Sequence, residues 1–75
     1  MKELLSDRDI GILKAYAKCD MRMNRTADMV HYTTRFLYIV FGEIFQKTGK
    51  DPHSFWDLFD IMRALEEEGA VGRED

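Results

Sequence analysis

Apolar side chains return at three- and four-residue steps in four short stretches of this chain, and that period dictates helices. One proline and five glycines in 75 residues leave little room for the turns that hairpins need. The length allows a single domain with a thin core, whose small margin of stability a second copy can supplement. An apolar fraction of 45% and a charged fraction of 33% belong to a folded globule and not to a disordered tail. The expected fold is all-α: one small four-helix domain over residues 1–75.

The first helix is expected over residues 7–19. Ser6 is a suitable N-cap, and Asp7 and Asp9 fall in the first turn, where the helix dipole favours acids. Ile10, Leu13, Tyr16 and Ala17 mark its apolar face, onto which Leu4 and Leu5 fold back. After a connection over residues 20–23, Asn24 is expected to cap a short second helix, 25–31. Ala27 and either Met29 or Val30 would face inward, with Met23 packed just ahead. A third helix is expected over 34–47, capped by Thr33 or Thr34 and stopped by Gly49. Its stripe is Leu37, Phe41, Ile44 and Thr48.

Asp51-Pro52 turns the chain. Ser54 and Asp57 have capping-box spacing in its acidic form, so the fourth helix is expected over 54–68. Phe55, Leu58, Phe59, Ile61, Met62 and Leu65 form its apolar face, and Trp56 is expected as a core or half-buried anchor, with part of a partner surface as its second reading. Met21, Met23, Met29 and Met62 read as core fillers. Gly69 stops the helix, Glu66 to Glu68 oppose its dipole, and residues 70–75 are expected to fray.

Net charge is −3, unevenly spread: residues 1–50 carry +3 and residues 51–75 carry −6. A mildly basic body with an acidic tail can bind DNA through the body, with weak non-specific affinity. One cysteine, Cys19, and no export signal at Met1 to Ser6 lead to a cytoplasmic expectation. No stretch has the roughly 20 apolar residues that span a bilayer. Cys19, His31 and His53 match no zinc spacing and read as surface or turn residues. Asp57 and Asp60 read as capping and solvated carboxylates. No nucleophile triad or phosphate-cradling glycine loop is present. The chain is expected to be no enzyme, with no metal, cofactor or small-molecule ligand.

The second and third helices, joined by a tight turn and flanked by supports, fit a helix-turn-helix. The run Tyr16-Ala17-Lys18-Cys19-Asp20-Met21 is followed by Thr26-Ala27, by Leu37, Phe41 and Ile44, and by Lys47-Thr48-Gly49-Lys50-Asp51-Pro52 with Phe55-Trp56-Asp57-Leu58. From about Ile10 to Leu65 this resembles the C-terminal helix-turn-helix domain of PucR and sugar-diacid-type regulators, and small stand-alone bacterial proteins made of that domain. The Thr-Gly-x-Asp-Pro segment and the Phe-x-Asp-Leu that follows are its most specific part. The resemblance implies a transcription-factor domain that binds double-stranded DNA, often as a homodimer, without cofactor or catalysis. It departs where DNA would be read. A family His-Arg-Asn-Thr opening is replaced by Thr33-Thr34-Arg35-Phe36, a Tyr-Arg by Ile39-Val40, and basic positions hold Tyr38, Val40 and Gly42.

Two functions follow. In the first, the third helix enters the major groove led by Thr33, Thr34 and Arg35, with Tyr38 one turn on, while Lys18, Arg22 and Arg25 meet phosphates. Arg35 has a second reading as a surface ion pair. In the second, the scaffold has lost DNA reading and serves protein–protein interaction. Phe36 to Phe41 are six apolar or aromatic residues in a row, more than a domain this size buries on both sides. Gly42 costs about 1 kcal/mol in a helix interior, which close approach of another helix can offset. Phe36, Ile39, Val40 and Gly42 would then form the partner surface, most simply against a second copy.

Overall fold

The computed structural model describes residues 1–69, so the expected fraying of residues 70–75 lies outside the described residues. Four helices make up the fold: α1 (Asp7–Lys18), α2 (Met23–Val30), α3 (Thr34–Thr48) and α4 (Phe55–Glu67). Among the described residues there is no strand, and no helix is long and apolar enough to cross a membrane.

Ser6 starts α1 with a reciprocal capping box. Its hydroxyl accepts from the Asp9 amide at 3.2 Å, and the Asp9 carboxylate accepts from the Ser6 amide at 3.4 Å. The box turns Asp9 inward to 1% exposure, where Arg8 at 3.0 Å and Lys47 of α3 at 3.8 Å balance its charge. A buried carboxylate is tolerable only with such partners. The buried face of α1 is therefore Asp9, Ile12, Leu13 and Tyr16, bordered by Ala15. This corrects the expected face, since Ala17 is exposed and Ile10 only half-buried. The polar residue heading the stripe hid its register. Leu5 folds into the core, whereas Leu4 stays exposed.

Tyr16 meets Phe41 of α3 edge-on, with ring centroids 4.9 Å apart. Around this pair Ile12, Leu13, Ala27, Leu37, Ile44, Ile61 and Leu65 close the core. The backbone of α1 runs close to α2, α3 and α4, while α4 comes close to neither α2 nor α3. The stripe that α4 buries is Leu58, Ile61 and Leu65, in one cluster with core residues of the other three helices. Phe55 and Phe59, expected inside, are exposed, and Trp56 is 70% exposed and no anchor. Met29 is likewise exposed, while Met21, Met23 and Met62 pack against the core. Cys19 is buried at the end of α1 and is not a surface thiol.

Each helix is followed by a left-handed residue, at Asp20, His31, Gly49 and Gly69. At the first, the Met21 amide donates to the Tyr16 carbonyl at 2.9 Å and the Asp20 amide to the Ala17 carbonyl at 3.3 Å, a Schellman closure. At the second, the Tyr32 amide reaches the Ala27 carbonyl at 3.1 Å. The first closure, with Met21 also left-handed, leads straight into α2 at Met23. Arg22 thus takes the N-cap position expected for Asn24. The fully buried Thr26 hydroxyl donates to the Arg22 carbonyl at 2.7 Å. At α4 the expected capping box is absent, because Ser54 makes no side-chain cap bond. The Asp57 carboxylate instead accepts from the Asp51 amide at 2.9 Å and braces the turn before the helix.

A left-handed residue with a β-carbon costs roughly 1–2 kcal/mol, somewhat less for Asp. Asp20→Gly and His31→Gly should each raise unfolding free energy by about 0.5–1 kcal/mol in urea titrations, and together nearly additively. The Asp51 carboxyl is held below its ordinary pKa by the His53 amide and then the imidazole, and Glu68 by the Lys2 amide and then the terminal amine. Depressed carboxyl pKa values contribute stability above the unfolded value of about 4 and lose it as pH falls through the folded values. Thermal melts from pH 6 to pH 2 should show this loss begin near pH 4, and Asp51→Asn should reduce it.

Candidate nucleic-acid interface

The turn between α2 and α3 spans residues 31–33, and the Thr33 hydroxyl caps α3 by accepting from the Phe36 amide at 3.1 Å. The Thr33 hydroxyl proton remains to donate outward. Thr34 is half-buried and Arg35 exposed. Leu37, Val40, Phe41 and Ile44 face the core, so the outer ridge of α3 is Arg35, Tyr38, Ile39, Gly42 and Phe45. This spacing of three, four and seven residues is one helix face.

The four residues expected to meet a partner do not share that ridge. Val40 is 1% exposed and belongs to the core, which corrects its assignment. Phe36 is turned inward, its ring 4.8 Å from Tyr32 and 5.4 Å under the Arg8 guanidinium. Ile39 and Gly42 do face out. Nothing lies within 4 Å of a β-carbon built on Gly42, so no helix of this chain approaches it closely.

The start of α2 faces the same side. Arg22, Met23, Asn24 and Arg25 line an open cleft with Tyr16, Met21, Tyr38 and His53. No side chain caps the first amides of α2, and such unmet donors at a helix N-terminus attract anions. Burial, followed by the nearby Tyr38 hydroxyl and Asp51 carboxylate, pushes the Tyr16 phenol up. Lys18 lies in the last turn of α1 and does not line the cleft.

His53 is a cleft residue that the chain's pattern does not reveal. Its amide and Nδ1 both meet the Asp51 carboxylate at 3.0 Å, forming a compact turn around the buried Pro52. The imidazole stacks on Tyr38 at 5.3 Å and 17° and meets the edge of Phe41 at 5.0 Å. The Asp-Pro-His order signals a turn closed by the Asp51 side chain, but not which residues the imidazole meets.

Several cations among the described residues are paired within the chain. Arg8 pairs with Asp9 and Glu43, Lys47 with Asp9, Lys50 with Asp60, and Arg63 with Glu67. Arg22, Arg25 and Arg35 make no ion pair among the described residues. Nor do the described residues hold any group of three or more His, Cys, Asp or Glu arranged to bind a metal. No family model, curated protein or solved structure matches the chain.

Gly42 separates fold from function on this surface. Both Gly11 and Gly42 lie in helix interiors with open space where a β-carbon would stand. Gly11→Ala and Gly42→Ala should each stabilise the fold by about 1 kcal/mol in denaturant titrations. Only Gly42→Ala should alter binding to whatever the α3 ridge meets.

Proposed function

We propose that this chain is a helix-turn-helix module that binds double-stranded DNA. The observation that carries this reading is the set of arginines without an ion pair, Arg22, Arg25 and Arg35, on the α2–α3 side, while the other arginines among the described residues, Arg8 and Arg63, are paired. The resemblance of residues 10–65 to regulator DNA-binding domains supports it. In this proposal Arg22, Arg25 and the amides opening α2 hold a phosphate of one strand. The ridge of α3 enters the major groove, where Arg35 reaches guanine O6 and N7 and Ile39 meets a thymine methyl. Thr33 and Thr34 donate to phosphate beside the groove, and the bare backbone of Gly42 allows close approach. Lys18 contributes at longer range.

About three phosphate contacts give a log–log salt slope of roughly −2.7, or an affinity loss of about 40-fold between 50 and 200 mM salt. Fluorescence anisotropy with a mixed-sequence duplex should show that dependence. Arg22→Ala should reduce the slope by about one, and Arg35→Glu should abolish binding, both with unchanged circular dichroism. Absence of binding at 50 mM salt by a chain of intact helicity rejects DNA binding. The apolar half of the ridge, Tyr38, Ile39 and Phe45, favours the interaction-module reading in that event.

A further inference from the structure

The cleft at the start of α2 contains a polar group that the chain itself does not use. Tyr16 is 3% exposed and lines this cleft, yet its hydroxyl makes no hydrogen bond among the described residues. Every fully buried polar side-chain atom among those residues has a partner. The Tyr16 hydroxyl is therefore not sealed in the core but opens into the cleft. A buried phenol without a partner forfeits a hydrogen bond unless something in the cleft accepts it. Burial keeps the phenol protonated at neutral pH, so it is a donor.

Other donors share the same space. Arg22 and Arg25 line the cleft without ion pairs, and no side chain caps the first amides of α2. Guanidiniums, helix-opening amides and a phenol all donate, which suits an oxyanion with several acceptor oxygens, a phosphate. Asp51, the acid whose charge reaches Tyr16, is held by the His53 amide and Nδ1 and lines a neighbouring notch, not this cleft.

The cleft is larger than a phosphate needs. Its volume is about 530 Å³, within the range of small-molecule sites. A phosphate is smaller than benzene, which a cavity of about 150 Å³ already holds. Another part of the wall is aromatic: Tyr38, 54% exposed, stacks on His53 at 5.3 Å and 17°. An exposed ring braced by a second one gives a planar group a place to lie.

We propose that this cleft binds a small phosphate monoester carrying a planar ring, of which a nucleoside monophosphate is the simplest. Its phosphate accepts from the Tyr16 hydroxyl, Arg22, Arg25 and the α2 amides, and its base lies on Tyr38. The inference rests on the DNA-binding reading only for the phosphate seat at α2, and a nucleotide held there keeps a DNA strand out of it.

Isothermal titration calorimetry with adenosine monophosphate, ribose phosphate, inorganic phosphate and adenosine tests this. Adenosine monophosphate should bind most tightly, ribose phosphate and inorganic phosphate about tenfold more weakly, and adenosine not at all. Tyr16→Phe removes only the hydroxyl and keeps the ring against Phe41. It should weaken adenosine monophosphate about tenfold with thermal melting little changed. Tyr38→Ala, at an exposed position, should weaken the nucleotide about tenfold and leave ribose phosphate unaffected. It decides the matter should Tyr16→Phe fail to fold. The proposal is overturned by a folded chain that does not bind millimolar adenosine monophosphate. Nucleotide affinity untouched by Tyr16→Phe overturns it, and so does equal affinity for the nucleotide and inorganic phosphate. DNA binding that the nucleotide does not displace overturns it too and leaves the DNA-binding reading standing. Nucleotide binding by a chain that binds no DNA supports the pocket and rejects only that reading.

Discussion

The edge-on contact between Tyr16 and Phe41 holds the molecule in register. It joins the last turn of α1 to the middle of α3 at 4.9 Å, within the apolar cluster. A rigid contact there sets the rotation of α3 about its own axis. Three residues of α3, Leu37, Val40 and Ile44, go inward with Phe41 as a consequence, and Arg35, Tyr38, Ile39 and Gly42 must face out. The capping box acts at the same joint, because it delivers Asp9 to Lys47 near the far end of α3. The outer face of α3 is thus a by-product of how α1 begins and packs.

The four helices and their order were legible from the three- and four-residue period. Their ends were legible only where the chain uses the residue best suited to the backbone. Gly49 and Gly69 announced the ends of α3 and α4 because glycine adopts the left-handed conformation without steric cost. Asp20 and His31 do the same work with a β-carbon, so the ends of α1 and α2 carried no glycine signal. The start of α2 was misplaced for that reason: Asn24 looks like a cap, but the turn closed by Asp20 and Met21 has already entered the helix. Ser54 and Asp57 misled in a related way, since Asp57 found the Asp51 amide to satisfy.

Burial was harder to read than helicity. A run such as Phe36 to Phe41 makes a helix apolar all round, and the pattern alone does not say which side meets the core. Packing resolves it: Val40 goes in, Ile39 goes out, and Phe36 is covered by Arg8. In α4 the apolar residues reach further round the helix than the core does, so Phe55, Trp56 and Phe59 are left outside. Two apolar surfaces therefore remain on different helices, the α3 ridge beside Arg35 and the α4 cluster of Phe55, Trp56 and Phe59.

From the sequence alone came the all-α class, the helix order, the short turn before Thr33 and the cap that follows it. These are local properties, decided by period, propensity and hydrogen bonds a few residues apart. The arginine candidates Arg22, Arg25 and Arg35 came from it too, because charge is a property of residue type. Which cations are unpaired, that His53 folds back onto Tyr38, and that Trp56 stands in water were decided only by the tertiary structure. Each depends on residues distant in the chain meeting or failing to meet, and one helix's periodicity holds no information about its neighbours.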